Sequence, residues 1–326
     1  MLVDILAPLV AGLATGMVMH RGGLCFNRAV RRAAFERRPV LLRAFLFAVA
    51  AQLILLPVLV ALGVGPLERS TRTGGTAFLP AAELAGGLTF GAGMALAGGC
   101  VTGMLWKAGA GAVALAVAIA GFAAGELLIR GPGDGIIASL DDAARVDTRA
   151  LPELLGVGYT GPALVIGAIG LALLLARGPR GAVAGVALGA VAALAWVAAD
   201  LAGYGYGLGF VGAAEGTRVA LDTGSALPYQ LYLAVGVVAG AALVGPRHLR
   251  LPDGPRAARA LAGGLLMGVG GSIAHGCNIG HGVTGVPLLS FGSLLAVTAM
   301  AAGALMTWRF ALAGRPALLG SERPST

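Results

Sequence analysis

Long apolar runs alternate along the chain with short segments rich in polar residues and glycine. An α-helix needs roughly 20 apolar residues to cross about 30 Å of hydrocarbon, and fewer where a re-entrant segment completes the depth. The pattern predicts about nine membrane-spanning helices and therefore an all-α polytopic membrane protein. The predicted spans are 3–20, 42–63, 82–97, 109–129, 159–176, 181–202, 229–245, 260–275 and 291–312.

The composition supports this class. Hydrophobic residues make up 57% of the 326 residues and charged residues 12%, and the mean hydropathy is +0.87. A soluble domain has about 25% charged residues. The 55 glycines follow no Gly-X-Y period, which argues against collagen. These values exclude a disordered chain and an ordinary cytosolic enzyme.

Basic residues lie in the short breaks between the apolar runs, and they give the chain a formal charge of +8. Cytoplasmic loops of membrane proteins carry an excess of Lys and Arg. Since connections 21–43 and 246–259 are rich in arginine, we expect the N-terminus outside the cell and the C-terminus in the cytoplasm. Scattered in this way, the basic residues form no continuous face for nucleic acid.

The chain contains an internal repeat. Segment Leu84–Cys100 reads LAGGLTFGAGMALAGGC and Leu261–Cys277 reads LAGGLLMGVGGSIAHGC, with ten of 17 positions identical at an offset of 177 residues. A weaker echo pairs Ala11–Cys25 with Ala184–Trp196, where the second copy has no cysteine. Because the strong copies lie five predicted spans apart, they cross the bilayer in opposite directions. This predicts an inverted-topology repeat of 1–130 and 181–312, linked by span 159–176.

All three cysteines of the chain lie in glycine-containing breaks, which read HRGGLCFNRA, GGCVTG and HGCNIGHGVTG. Glycine allows a positive φ and a close backbone approach to a ligand. A helix that begins there directs unpaired N–H groups toward the break, which favours an anion, and a thiol adds a soft donor. The predicted binding residues are Cys25, Cys100, Cys277, Gly23, Gly99, Gly276, Thr102, Thr284 and Asn278. We expect a Cβ at Gly99 or Gly276 to block this approach or forbid the required φ.

Each feature also has a structural or a different chemical interpretation. Cysteines in membrane helices are usually small buried apolar residues, and glycines are usually packing surfaces. Three cysteines and two histidines also fit a metal site, and thiols fit a redox enzyme. The shared position of the cysteines in the breaks, two of them at equivalent repeat positions, favours a binding function without a cofactor.

Several polar residues near or within the spans remain ambiguous in sequence. Glu126 and Asp200 fit proton coupling, but structural hydrogen bonds are favoured. Lys107 and Arg28 would attract an anion inward, although both also satisfy the positive-inside rule. Ser272 is a candidate donor on the path and equally a helix-packing hydroxyl.

Segments GGLCFNRA, GGCVTGMLWKAG and HGCNIGHGVTGVPLLSFGS, in this order, resemble the YeeE/YedE family of sulfur-compound transporters. The resemblance implies an hourglass-shaped inverted repeat in the inner membrane that takes up thiosulfate, with Cys25, Cys100 and Cys277 as pore cysteines. It also implies a TusA-like sulfur-carrier protein as cytoplasmic partner. Some relatives handle other sulfur or selenium anions. The alternatives are therefore a transporter or channel for another small anion, or a membrane protein that handles thiols or metals.

These features lead to a hypothesis for transport. Backbone N–H groups hold the oxygens of thiosulfate, and neutral thiols donate to its terminal sulfur and pass it along a relay. The predicted topology orders the thiols from Cys277 outermost, through Cys100, to Cys25 innermost.

Overall fold

The computed structural model describes residues 2–73, 77–245 and 249–311, in which the regular secondary structure is helical and no β-strand occurs. The expected C-terminal end of the last span and the C-terminal tail lie outside the described residues from position 312 onward. The helices are α1 (Leu2–Arg21), α2 (Phe26–Phe35), α3 (Val40–Ala61), α4 (Gly65–Thr73), α5 (Pro80–Ala97), α6 (Val101–Gly109), α7 (Val113–Arg130), α8 (Asp134–Ala143), α9 (Leu151–Leu155), α10 (Thr160–Ala176), α11 (Ala182–Leu201), α12 (Ala213–Thr223), α13 (Tyr229–Val244), α14 (Gly254–Ile273) and α15 (Phe291–Met306). Between α14 and α15 the chain forms two non-α helical turns, Gly280–Gly285 and Val286–Leu288, and a third, Thr307–Ala311, follows α15.

The long helices coincide with the predicted spans. Helices α1, α3, α5, α7, α10, α11, α13, α14 and α15 each overlap one span, with ends that differ by a few residues. In the described part of the chain, six helical stretches are long and apolar enough to cross a membrane, and α10 and α13 are apolar but shorter. The expected class, an all-α polytopic membrane protein, is confirmed.

Shorter helices and helix boundaries differ from the prediction. Helices α4, α8, α9 and α12 lie in segments that the sequence predicts as connections. These segments are predicted as connections because none contains an apolar run long enough to span a membrane. Helix α14 begins at Gly254 rather than 260, since the Asp253 carboxylate accepts the backbone N–H of Arg256 and caps it. The fourth span begins at Val113 rather than 109, because α6 continues to Gly109.

Glycines allow the long helices to pack at close range. Gly121 and Gly125 on α7 face Gly264 and Gly268 on α14, and a Cβ at Gly268 would lie 2.1 Å from the carbonyl oxygen of Phe122. Glycines spaced by four also line the contact between α1 and α13. Small residues at this spacing let membrane helices approach backbone to backbone. These helix glycines therefore have a packing role, in agreement with the interpretation of glycines as packing surfaces.

The packing partners of the helices occur in exchanged pairs. Helix α7 packs against α14, and α15 packs against α5. Helix α1 packs against α13, and α11 packs against α3. If α1, α3, α5 and α7 are matched to α11, α13, α14 and α15, each contact has a counterpart in which the two sets are exchanged. Such an exchange is what a two-fold relation between two halves produces.

Candidate functional site

Each cysteine lies at the start of a short helix that follows a long one. Cys25 precedes α2, Cys100 precedes α6, and Cys277 precedes a helical segment that begins at Asn278. The cysteines are exposed by 1%, 0% and 0%, and all three are free thiols. The preceding helices α1, α5 and α14 end within a few residues of the cysteine. The predicted broken helices are therefore present, with a buried thiol at each break.

The left-handed residue in two of these breaks lies one position earlier than expected. After α5 it is Gly98, with φ of 78°, and after α14 it is His275, with φ of 57°. The expectation that Gly99 and Gly276 need a special φ is therefore wrong. At Gly276 the constraint is steric, because a Cβ would lie 2.6 Å from His281 Nε2, whereas at Gly99 the nearest atom is Met104 Cγ at 3.3 Å.

The turns before Cys25 and Cys277 are fixed in different ways. Gly23 has φ of 56°, a conformation that favours glycine over residues with a Cβ. The strained conformation of His275 is held by Asp141 on α8, whose carboxylate oxygens lie 2.9 and 3.1 Å from His275 Nε2. The local sequence gives no sign of the special conformation at Gly98 or of this His275–Asp141 contact.

Cys25 and Cys100 form a thiol pair. Their Sγ atoms are 3.8 Å apart, and the backbone N–H of Gly103 donates to Cys100 Sγ at 3.3 Å. A Cβ at Gly103 would lie 2.7 Å from Cys25 Sγ and 3.1 Å from Cys100 Sγ. Only glycine fits there without displacing a thiol. The sequence placed Gly103 in a motif but gave no reason to single it out.

Cys277 has different neighbours. The backbone N–H of Gly280 donates to Cys277 Sγ at 3.4 Å. A Cβ at Gly280 would lie 3.8 Å from that sulfur and 3.9 Å from the Cα of Gly209, in the connection between α11 and α12. The connection beside Cys277 therefore contributes a glycine, Gly209, whereas the connection beside Cys100 contributes a second thiol, Cys25.

Buried polar side chains follow each cysteine within two residues. Asn27, Thr102 and Asn278 are exposed by 7%, 0% and 1%. Among the described residues, no hydrogen-bond partner is found for Asn27 Oδ1, Thr102 Oγ1 or either amide atom of Asn278. An unpaired buried polar atom costs about 1–3 kcal/mol and requires an explanation. A polar ligand at the cysteines would satisfy these atoms.

Two side chains hold the connections that face the cysteines. The hydroxyl of Thr284 donates to the carbonyl oxygen of Leu208 at 2.7 Å, and Trp106 Nε1 donates to the carbonyl oxygen of Leu24 at 2.9 Å. The hydroxyl hydrogen of Thr284 is therefore engaged by the protein, and Thr284 positions a loop rather than offering a free donor. Asn27 and Trp106, both within the quoted segments, were not identified as site residues.

The ambiguous acidic side chains and Ser272 make structural hydrogen bonds. Glu126 Oε1 accepts the backbone N–H of Glu215 at 3.2 Å, in the first turn of α12. Asp200 Oδ1 accepts the backbone N–H of Gly65, and Ser272 Oγ accepts from Arg130 Nε at 3.3 Å. The contacts of Glu126 and Asp200 support the favoured structural interpretation.

Lys107 and Arg32 lie in different environments, one buried and one at a polar segment. Lys107 is buried at the end of α6, with its Nζ 5.7 Å from the centroid of the Trp106 ring. At the C-terminal end of α2, Arg32 Nε donates to a carboxylate oxygen of Glu36 at 3.0 Å, and this bond lowers the pKa of Glu36. Among the described residues, no three His, Cys, Asp or Glu side chains converge as a metal-binding group.

A cavity of about 500 Å³ borders α6 without belonging to the thiol site. Its wall is almost entirely apolar and includes Val101, Met104, Phe122 and Phe210. A divalent anion would lose its hydration there without gaining hydrogen bonds. This cavity therefore does not suit an anion, whereas the unpaired polar atoms lie beside the cysteines.

Mild oxidation is expected to join the two neighbouring thiols. Diamide would accept two electrons and two protons from Cys25 and Cys100, whose sulfurs would then form a disulfide. Cys277, which faces Gly209, should remain a thiol. Mass spectrometry of the denatured, maleimide-labelled protein measures both results. A diamide-treated protein in which all three cysteines are still labelled would contradict the observed pairing.

Known sulphur-transport proteins are similar to this chain over most of its length. A family profile described as sulphur transport matches residues 21–306. The chain is 31% identical to the thiosulfate transporter TsuA of Spirochaeta thermophila over 318 residues, which cover 88% of this chain and 93% of the relative. It is 24% identical to the thiosulfate transporter TsuA of Escherichia coli, with 92% of each chain covered. A 34% match to a probable transporter YedE of Salmonella typhimurium covers 31% of this chain and 23% of that protein. The resemblance first seen in the cysteine motifs is thus confirmed over most of the chain, which belongs to the YeeE/YedE family of sulphur-transport membrane proteins.

Proposed function

We propose that this protein is a transporter, not an enzyme, and that it carries thiosulfate inward across the inner membrane. The observation that carries the proposal is the group of buried thiols at Cys25, Cys100 and Cys277, each followed by a polar side chain with an unpaired atom. The two relatives named thiosulfate transporters support the same substrate.

Thiosulfate is a dianion with three oxygens and one soft terminal sulfur. Moving it through hydrocarbon is prohibitive unless donors replace its hydration. Neutral thiols donate weakly to the terminal sulfur, and the amide of Asn278 and the hydroxyl of Thr102 donate to the oxygens. Weak donors at successive positions suit transport, since each position must bind the ion and then release it. A deprotonated thiol would repel the dianion, so the proposal requires the cysteines to stay protonated.

The proposed path lies between two inverted halves, 1–130 and 181–312, with α10 as the linking helix. The exchanged packing of α7 on α14 and α15 on α5 supports this arrangement, because inverted halves place a substrate site at their interface. With the N-terminus outside, the ion meets Cys277 first and the Cys100–Cys25 pair afterwards. Under this arrangement, superposition of 84–103 on 261–285 requires a two-fold axis in the membrane plane.

A small sulfur-carrier protein of the TusA type is the proposed cytoplasmic partner. Arg37 and Arg38 follow α2 and are exposed. In the proposed topology they face the cytoplasm, where they would attract an acidic carrier protein. Such a carrier would receive the sulfur compound as it leaves the path.

Growth on thiosulfate tests the proposed substrate. In cells that lack their own uptake of sulfate and thiosulfate, expression of this protein should restore growth on thiosulfate as sole sulfur source. Growth on cysteine is the control for viability, and sulfate and selenite uptake are measured in parallel. If only another anion enters, the choice of thiosulfate is wrong. If no anion enters although folded protein is present in the membrane, the transport proposal is wrong.

A further inference from the structure

The loop between α11 and α12 has the same local sequence as the first cysteine break. Residues 22–26 read GGLCF, and residues 206–210 read YGLGF. The two segments share Gly, Leu and Phe at matching positions, and each precedes a short helix, α2 or α12. In this alignment Gly209 stands where the first segment has Cys25.

The contacts of the two segments match as well. The carbonyl oxygen of Leu24 accepts a hydrogen bond from Trp106 of the α6 segment, and that of Leu208 accepts one from Thr284 of the corresponding later segment. Each segment also lies beside a cysteine whose sulfur accepts a backbone N–H three residues further on, from Gly103 or from Gly280. Cys25 with Cys100, and Gly209 with Cys277, are therefore equivalent pairs in two half-sites.

The half-sites differ in free space. A Cβ at Gly103 would lie 2.7 Å from Cys25 Sγ. A Cβ at the equivalent Gly280 would meet nothing closer than 3.8 Å, and a Cβ at Gly209 would meet only Tyr206 Cδ1, at 3.9 Å. The room that the Cys25 side chain occupies in the first half-site is open beside Cys277 in the second.

We propose that this space at Gly209 is a substrate position, in which the anion contacts the Gly209 backbone while Cys277 donates to it. This inference rests on the proposed transport of a sulfur anion and adds a specificity-determining residue to it. The second half-site binds the anion with one thiol and extra room, and the first binds it with two thiols. The bound sulfur therefore gains a second S–H partner when it moves from Cys277 to the Cys25–Cys100 pair.

Alanine substitutions test whether the substrate uses the space. Gly209→Ala and Gly280→Ala introduce a methyl group that no protein atom opposes within 3.4 Å, so both variants should fold. Thiosulfate uptake should show a KM about tenfold higher in each, because the methyl group occupies the substrate's place. The matched control is Gly205→Ala in the same loop, where a Cβ has no neighbour within 4 Å and the residue is exposed. A wild-type KM in Gly209→Ala would overturn the inference, whatever the result for Gly280→Ala.

A cross-link tests the geometry without transport. In a Cys25→Ala background, Gly209→Cys should place a new thiol against Cys277, and diamide should oxidise that pair to a disulfide with loss of two protons and two electrons. If both thiols stay reduced, while Cys25 and Cys100 of the unaltered chain do form a disulfide, the equivalence is wrong. Cys277→Ala separates the two proposals. Normal uptake in that variant refutes the thiol path itself, whereas lost uptake there with normal uptake in Gly209→Ala refutes only this inference.

Discussion

Replacing Cys100 with alanine is expected to lower thiosulfate uptake about 10- to 100-fold while the protein still folds into the membrane. Cys100 is fully buried, and its sulfur lies 3.8 Å from that of Cys25. A hydrogen bond to a charged group contributes about 1.5–3 kcal/mol, and every 1.4 kcal/mol changes an equilibrium about tenfold. Loss of one S–H donor from the path therefore has a large effect on transport. The small cavity costs on the order of 1 kcal/mol of stability.

Uptake of labelled thiosulfate at matched membrane expression measures this effect. The control is Thr15→Ala, which removes a small buried polar group of α1 whose hydroxyl donates to the Ala11 carbonyl oxygen, outside the cysteine breaks. It should keep normal uptake. If Cys100→Ala transports normally, Cys100 does not bind the substrate. If it fails to accumulate in the membrane, Cys100 is a packing residue.

Gly268→Val is expected to prevent the protein from folding. A Cβ at Gly268 would lie 2.1 Å from the carbonyl oxygen of Phe122 and 2.7 Å from the backbone nitrogen of Glu126. Both atoms belong to the α7 backbone, so relief requires the separation of two packed helices. Ordinary overpacking costs about 1–3 kcal/mol, and here the opposing atoms are backbone that cannot move aside, so the substitution also removes the close approach that small residues provide.

Size-exclusion chromatography of the detergent-solubilised protein reports the outcome of Gly268→Val. The matched control is Gly135→Val on the exposed helix α8, where a Cβ meets nothing within 4 Å. The control should elute as a single folded species, whereas Gly268→Val should aggregate or be degraded. A folded Gly268→Val protein with wild-type thermal stability would show that α7 and α14 do not pack as closely as described.

The broad organisation of the fold is readable from sequence for physical reasons. A span of apolar residues long enough to cross the bilayer has few other uses, so each of the nine runs corresponds to a long helix. The breaks before Cys25, Cys100 and Cys277 are likewise readable, because glycine interrupts an apolar run just before a thiol. The short helices α4, α8, α9 and α12 have no comparable sequence pattern, since helices of this length are stabilised mainly by packing against the rest of the protein.

The details of the site depend on contacts between distant residues. Cys25 and Cys100 are 75 positions apart in the chain, and nothing in either segment indicates that their sulfurs lie together. The role of Gly209 could not be predicted from the repeat for a different reason. The strong repeat has an offset of 177 residues, whereas GGLCF and YGLGF are 184 positions apart. An ungapped alignment at the offset of 177 therefore does not match the loop that contains Gly209 to the first cysteine break. The left-handed conformation of His275 is also not predictable from the local sequence, since its side-chain partner Asp141 lies 134 positions away.

In the proposed mechanism, the thiol site of this chain moves thiosulfate across a membrane. The most direct test of this mechanism is uptake of labelled thiosulfate into liposomes that contain the purified protein, compared with the variant in which Cys25, Cys100 and Cys277 are all alanine. We expect time-dependent uptake by the unaltered protein, inhibited by unlabelled thiosulfate and reduced to the level of empty liposomes in the triple variant. Equal uptake by the folded triple variant would contradict the mechanism.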